Sequence, residues 1–283
     1  MKIVIIGAGN VGTNLQHALE LKGIRSSLVS SRDEEQLAAL GNDEGQGAAF
    51  IYSVADHALA EVIAKVHAPK ALHLHTSGSM PVTVFGEDKP HAGVLYFFQS
   101  FSKAQLIDDW SGIPCFIEGR NIDDVAAIYS LAQCLTSRIY EANQHDRERL
   151  HIAGVFANNY TNLMYRMAAE VLKDTQIPFQ ALLPLIDQTA AKVHTLTPKD
   201  AQTGPASRMD AKVVLHQMSV LAKMKDGEFF ASDLQFTYMG LAQVIQTAAD
   251  SNKPHSIVDI LGQALGESDG RPHSRPAQSR RRG

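Results

Sequence analysis

The feature that most constrains the fold is a glycine-rich hexapeptide directly after the first apolar run. Lys2–Ile6 has the continuous apolar character of a strand buried on both faces of a parallel sheet. The hexapeptide Gly7-Ala8-Gly9-Asn10-Val11-Gly12 follows it and opens a predicted helix over Asn10–Lys22. In a strand–turn–helix context this G-x-G-x-x-G pattern predicts a dinucleotide site, with the pyrophosphate at the helix amino end. The alternative is a glycine-rich turn that binds no ligand.

Strand and helix patterns continue to alternate through residue 142. The further predicted strands are Ser27–Ser31, Ala48–Val54, Ala71–His75, Gly93–Phe97, Pro114–Glu118 and Ser137–Tyr140. The predicted helices among them are Asp33–Leu40, Asp56–Val66 and Asp123–Leu135. This spacing predicts an open parallel α/β sheet, so we expect a Rossmann-like domain over residues 1–142.

From residue 143 the pattern is helical. The predicted helices are Asp146–Lys173, Phe179–Thr195, Asp210–Met224, Ser232–Ala249 and Ser256–Leu265, with a polar loop at Thr197–Arg208. Residues 143–266 are therefore predicted to form an all-α domain. Residues 267–283 hold five arginines against two acidic residues among Gly, Pro and Ser, which predicts a disordered basic tail.

Composition excludes several classes of protein. The formal net charge of −4 argues against nucleic-acid binding. Cys115 and Cys134 are the only cysteines, without a C-x-x-C motif or clustered histidines, so neither a disulfide framework nor a metal site is expected. The start of the chain lacks a signal-peptide pattern and no apolar run approaches about 18 residues, so we expect a cytoplasmic protein without a membrane span.

The choice of dinucleotide depends on the end of the second predicted strand. An NAD site has a carboxylate there for the ribose hydroxyls, whereas this chain has Ser31 and Arg32. Arginine pairs with a 2′-phosphate and stacks on adenine, so NADP is predicted over NAD. The alternative is that Arg32 is a solvated residue at the start of the next helix.

These motifs resemble known families. The first half is similar to pyrroline-5-carboxylate reductase and the F420-dependent NADP oxidoreductases in the hexapeptide, in Ser30-Ser31-Arg32 and in Ser53-Val54-Ala55-Asp56. The whole chain resembles the family that joins a Rossmann-like domain to a DUF2520 domain. The segments that carry this resemblance are His75–Ser79, Tyr96–Ser102, Arg149–His151, Val155–Asn159, Pro184–Ile186, Ala201–Ala206, Arg208 and Asp210. Phe97 departs from the pattern, which has proline there.

The resemblance implies NADP as cofactor and a second domain like the helical C-terminal domain of 6-phosphogluconate dehydrogenase. It also implies a homodimer, which we expect to form through the helical domain. Because ligands of open α/β sheets bind at the carboxyl ends of the strands, Val54 and Ser77 are predicted to contact the cofactor and Tyr96 the substrate. Ser77 has an alternative role as an ordinary helix-cap or turn residue.

A polar stripe on the first long helix is a second candidate site. His151, Asn158 and Asn162 share one face of an α-helix, with Asn159 beside them. Asparagine is a poor helix former, so its presence here indicates either contact with the substrate or nicotinamide, or hydrogen bonding between packed helices. The related β-hydroxyacid dehydrogenases carry a lysine four residues before an asparagine on this helix. Here Gly154 and Val155 occupy those positions.

Lys192 is a candidate proton donor, since it shares a helix face with Gln188; its alternative is a solvated lysine. Gln202, Thr203 and Arg208 in the polar loop are predicted to bind substrate, with Arg208 as a clamp for an acidic group. Arg208 could instead pair locally with Asp210.

The leading hypothesis is an NADP-dependent oxidoreductase that transfers hydride to or from a small carbonyl or imine compound in an interdomain cleft. His151, Asn159 and Lys192 would orient or protonate the substrate. Two alternatives stay open. One is a non-catalytic NADP-binding sensor or scaffold, and the other is hydride exchange between NADP and the deazaflavin F420.

Overall fold

The computed structural model describes residues 1–40 and 45–249, which divide into two compact units. The first unit is Met1–Thr161 and the second begins at Asn162. The predicted helix at Ser256–Leu265 and the predicted basic tail at 267–283 lie outside the described residues. None of the described helices is long and apolar enough to cross a membrane.

The first unit contains one sheet whose described strands run in the order β2-β1-β3-β4-β5-β6-β7. They are β1 (Lys2–Ile6), β2 (Ser26–Val29), β3 (Ala48–Tyr52), β4 (Leu72–His75), β5 (Ala92–Phe97), β6 (Cys115–Gly119) and β7 (Ile139–Glu141). The prediction of a Rossmann-like sheet is confirmed, but its all-parallel form is wrong at β6, which pairs antiparallel to β5. The reversal follows from the long connection after Phe97, which returns the chain to the same edge of the sheet, where Cys115 pairs with Phe97.

Helices cover both faces of this sheet. They are α1 (Asn10–Leu21), α2 (Glu34–Ala39), α3 (Asp56–Ala64) and α4 (Ile122–Gln133), with a 3₁₀ turn at Val82–Phe85. One core contains Ile3, Ile5 and Leu15 with residues of α4, and the other contains Val4, Ile6 and Leu59 with residues of α2 and α3. The alternation of β1 side chains between the two cores shows why this strand is apolar at every central position.

The described chain from Gln144 onwards is helical. Its helices are α5 (Gln144–Gly154), α6 (Thr161–Leu172), α7 (Leu183–Lys192), α8 (Pro198–Ala201), α9 (Ala211–Leu221) and α10 (Ala231–Ala249). The single helix predicted over Asp146–Lys173 is interrupted, because Val155–Tyr160 is a π-helical segment between α5 and α6. The loop predicted over Thr197–Arg208 likewise contains α8.

The first compact unit extends past the predicted domain boundary at residue 142, because α5 packs on the sheet. Arg147 is fully buried and pairs with Glu118 of β6. Its guanidinium also donates to the carbonyl oxygens of Ala142 at 2.9 Å and Met80 at 3.0 Å. The change from strands to helices does fall between Glu141 and Gln144. The predicted roles of the helical region in substrate binding and dimerisation stay predictions.

Candidate functional site

The glycine-rich turn lies where the sheet reverses its direction of winding. The chain passes from β1 outward to β2 and then back to β3 on the other side, so the turns after β1 and β3 lie side by side. Gly7 has φ of +113°, and a Cβ on it would lie 2.3 Å from the carbonyl oxygen of Ser53. Such a crevice at the carboxyl ends of the strands is the usual ligand site of an open α/β sheet.

The turn has room for a phosphate on one side only. A Cβ on Gly12 would lie 2.0 Å from the carbonyl oxygen of Gly7, so Gly12 supports the turn from within the packed unit. A Cβ on Gly9 would meet only the Ser53 oxygen, at 3.8 Å. Gly9 is also the N-cap of α1 and carries no capping side chain, so the free N–H groups of the first turn face this space. These residues therefore fit the pyrophosphate of a dinucleotide.

A cavity of about 830 Å³ extends from this turn to the end of β2. This volume lies in the range of small-molecule sites. Among the predicted cofactor residues, it is lined by Gly7, Ala8, Gly9, Ser31, Arg32 and Val54. The guanidinium of Arg32 forms no ion pair within residues 1–40 and 45–249, whereas Asp33 beside it caps α2 by accepting from Gln36 N at 3.0 Å. The cavity therefore has an unpaired cation at its end beside β2.

A second cavity, of about 400 Å³, adjoins the first and shares Gly9, Ser53, Val54 and Ala55 with it. It is also lined by Asn10, Val11, Ser77 and Tyr96. The Ser77 hydroxyl oxygen accepts from Ser79 N and from Met80 N, each at 3.1 Å. Ser77 thus stabilises the turn after β4, which is the alternative role given to it above. It also borders the cavity.

Tyr96 and His151 meet at the border of this second cavity. The Tyr96 hydroxyl lies 3.3 Å from His151 Nδ1, a contact between β5 and α5. Burial, with a smaller contribution from the charge of Asp56, raises the pKa of Tyr96 to about 12. The phenol therefore keeps its proton at neutral pH and is able to donate a hydrogen bond.

A third cavity, of about 220 Å³, shares Tyr96, Gln99 and His151 with the second. Its far wall is the π-helical segment, which contributes Val155, Ala157, Asn158 and Asn159. The wider turn of a π-helix changes the predicted face, so both asparagines reach this cavity whereas Asn162 is absent from its lining. π-Helical segments occur often at functional sites.

The described remainder of the predicted site belongs to the second unit. Lys192 ends α7, and Gln202, Thr203 and Arg208 follow α8. The side-chain amide of Gln202 donates to the Thr203 carbonyl at 2.9 Å, and Asp210 caps α9 by accepting from Val213 N at 3.2 Å. Their predicted roles in catalysis or substrate binding stay predictions. No group of three or more metal-ligating side chains occurs in the described part of the chain.

Sequence reasoning missed one residue that shapes the site. Asn14 is fully buried on α1, where its Nδ2 donates to Ser102 O at 2.9 Å and its Oδ1 accepts from Ile107 N at 3.0 Å. These bonds attach the segment after β5 to α1. The signal was present, since an asparagine beside Leu15 on the apolar face of a helix needs hydrogen-bond partners.

Comparisons with known proteins agree with this architecture. The family model described as "Domain of unknown function (DUF2520)" matches residues 113–245. The crystal structure of a putative NADP oxidoreductase from Bacteroides fragilis is 39% identical, with a TM-score of 0.76, and the match covers 87% of this chain and 97% of that one. Among curated proteins, none matches.

Two more distant structures share the fold. A protein from Thermotoga maritima is 17% identical, with a TM-score of 0.64 over 89% of this chain and 100% of that one. An imine reductase from Myxococcus stipitatus, in complex with NADP⁺, is 15% identical, with a TM-score of 0.57 over 94% of this chain and 100% of that one. The resemblance carried by the sequence motifs is confirmed, and this chain belongs to the DUF2520 family.

Proposed function

We propose that this protein is an NADP-dependent oxidoreductase that reduces a small carbonyl or imine compound. One observation carries the proposal. Three adjoining cavities follow the carboxyl ends of the strands, from the unpaired Arg32 through the glycine-rich turn to the Tyr96–His151 pair. The Bacteroides fragilis relative, whose name is putative NADP oxidoreductase, supports the same cofactor.

In this proposal each end of the cleft has a separate task. Arg32 binds the 2′-phosphate of NADP, and the N–H groups at the start of α1 bind the pyrophosphate. When bound, NADPH supplies a hydride. Tyr96 donates its phenolic proton to the oxygen or nitrogen atom of the substrate, so that the reduced carbon and the protonated heteroatom form an alcohol or amine. His151 Nδ1 lies within reach of the Tyr96 hydroxyl to return the proton, and Asn158 and Asn159 orient the substrate.

Cofactor binding tests the first half of this proposal. Titration of the full chain with NADPH, followed by nucleotide fluorescence, is expected to show saturable binding that is tighter than for NADH. Arg32→Asp should weaken NADPH binding at least tenfold more than NADH binding, since it replaces the cation with an anion. Equal loss of both nucleotides would contradict the assignment of Arg32, and absence of NADPH binding to the unaltered chain would exclude the proposed function.

Turnover tests the second half. NADPH oxidation is measured with pooled ketones, keto acids and imines, and F420 is added as a separate acceptor. Oxidation with a carbonyl or imine pool supports the proposal, and oxidation with F420 alone supports the deazaflavin alternative. Within the proposal, the contributions of Lys192, Gln202, Thr203 and Arg208 and the formation of a homodimer through the helical region stay predictions.

A second candidate function is a non-catalytic NADP-binding protein. It is favoured by Gly154, which occupies a position where related dehydrogenases carry a lysine. A Cβ at Gly154 would lie 2.7 Å from the ring of Phe98, so a lysine here would displace that ring. Tight NADPH binding with no oxidation in any pool would favour this function.

A further inference from the structure

The segment that follows β5 crosses the start of α1. Lys103 N donates to the side-chain oxygen of Asn10 at 3.2 Å, although the two residues are 93 positions apart. Asn14 lies one turn further along α1. Its side chain forms hydrogen bonds to the backbone of Ser102, which precedes Lys103, and to the backbone of Ile107, which follows it. Two asparagines of the same helix therefore hold this segment at three points along its length.

The burial of Asn14 indicates that hydrogen bonds, in addition to packing, hold this segment on α1. Its side chain is fully buried, and its amide also donates to Asn10 O at 2.9 Å. A buried amide is stable only when its hydrogen bonds are made, so each of its three bonds restricts where the bonded group lies. The asparagine fixes the position of the crossing segment more exactly than apolar contact would.

The attachment brings Lys103 to the wall of the cavity that begins at the glycine-rich turn. Its ammonium forms no ion pair with a carboxylate of the described chain. Lys65 lines the same cavity but is paired with Glu34 at 3.1 Å and Glu61 at 2.8 Å. Lys103 and Arg32 are thus unpaired cations on this cavity, one beside the start of α1 and one at the end of β2.

We propose that Lys103 binds the pyrophosphate of the dinucleotide and that Asn14 is the residue that positions it. The inference rests on the proposed function. Arg32 distinguishes NADP from NAD because it meets a phosphate that only NADP has. Lys103 meets the pyrophosphate, which NADP and NAD share. It therefore contributes to the affinity for both nucleotides and has little effect on the selectivity between them.

Nucleotide titrations of the full chain test the role of Lys103. Lys103→Ala is expected to raise the Kd for NADPH and for NADH by the same factor, about tenfold. The dependence of Kd on salt concentration should also become shallower, because one cation fewer contacts the phosphates. Lys22→Ala, which removes the same charge from the exposed far end of α1, is the matched control and should leave both Kd values within twofold.

Asn14 is tested by a double-mutant cycle. Asn14→Ala should weaken both nucleotides, and adding Lys103→Ala to it should cause little further loss, because the unattached lysine no longer contributes. Thermal melting followed by circular dichroism establishes that each variant is folded. Additive losses would contradict the positioning role. Unchanged Kd values in Lys103→Ala, with normal binding by the unaltered chain, would overturn the inference and leave the proposed function intact.

Discussion

Tyr96 is the residue whose chemistry depends most on its surroundings. Its ring packs beside Phe98 and Phe116, and its hydroxyl faces His151. Burial raises its pKa to about 12, so the phenol is a hydrogen-bond donor and a weak acid over the whole neutral range. A group that keeps its proton until the substrate heteroatom becomes basic is suited to the second half of a carbonyl or imine reduction.

We expect Tyr96→Phe to lower the rate constant of NADPH oxidation by about a hundredfold, because it removes only the hydroxyl that donates the proton. The Kd for NADPH should change less than twofold. The measurement uses the substrate that the pooled screen identifies, under single-turnover conditions. Tyr140→Phe is the control. Tyr140 lies in β7, stacks on Phe116 of β6 and lines none of the three cavities described above. Full activity in Tyr96→Phe would rule out this role.

The π-helical segment is the element that gives the site its polar wall. Six residues, Val155–Tyr160, adopt this geometry between α5 and α6. The Thr161 hydroxyl donates to the carbonyl oxygen of Phe156, five residues back, at 3.1 Å. A side-chain hydrogen bond therefore supports the segment where the chain returns to α-helical geometry.

Thr161→Val should destabilise this segment by about 1 kcal/mol, because it removes that donor while keeping the β-branched shape. Hydrogen exchange followed by mass spectrometry is expected to be several-fold faster over residues 155–160. Thr189→Val in α7 is the matched control, since Thr189 makes an ordinary bond to Leu185 O at 2.8 Å, four residues back. Equal protection of residues 155–160 in the two variants would contradict the role of Thr161.

At the scale of the whole molecule, two buried histidines make stability depend on pH. His73 Nε2 donates to Ala68 O at 2.8 Å, so Nδ1 of the neutral ring accepts from the Tyr52 hydroxyl at 3.0 Å. His75 lies two residues further along β4, on the same face of the strand. Both are fully buried, and desolvation lowers the pKa of each to about 4. Each is therefore neutral when folded but takes up a proton near pH 6.5 when unfolded.

Between pH 6.5 and pH 4 the unfolded chain binds more protons, so the free energy of unfolding falls as the pH falls and is fully retained above pH 6.5. We expect a loss of about 2 kcal/mol per histidine between pH 7 and pH 5. Urea unfolding followed by the fluorescence of Trp110 reports on this unit, since Trp110 is the only tryptophan and is buried in its core. His75→Gln should reduce the pH dependence, whereas the exposed His145→Gln should leave it unchanged.

What could be predicted from the sequence depended on the range of the interactions involved. β1, α1 and the turn between them follow from periodicity and glycine placement within about 20 residues, and the structure confirms them. The direction of β6 and the attachment of Lys103 to Asn10 depend on contacts between distant segments, which no local pattern records. The π-helical segment was missed because its residues differ little from those of an α-helix.

The reversal of β6 also determines the direction in which the chain approaches the site. Because β7 runs parallel to β6, it ends on the side of the sheet opposite the cleft. There Ala142 N donates to Ile117 O at 3.0 Å. A helix that starts on this side has to run the full length of the strands before it reaches the carboxyl ends of the parallel strands, where the cleft lies. The 11 residues of α5 span about 16 Å, close to the length of a five-residue strand. Had β6 run parallel to β5, the same helix would have started at the cleft and led away from it. The antiparallel strand is thus what delivers His151 to Tyr96.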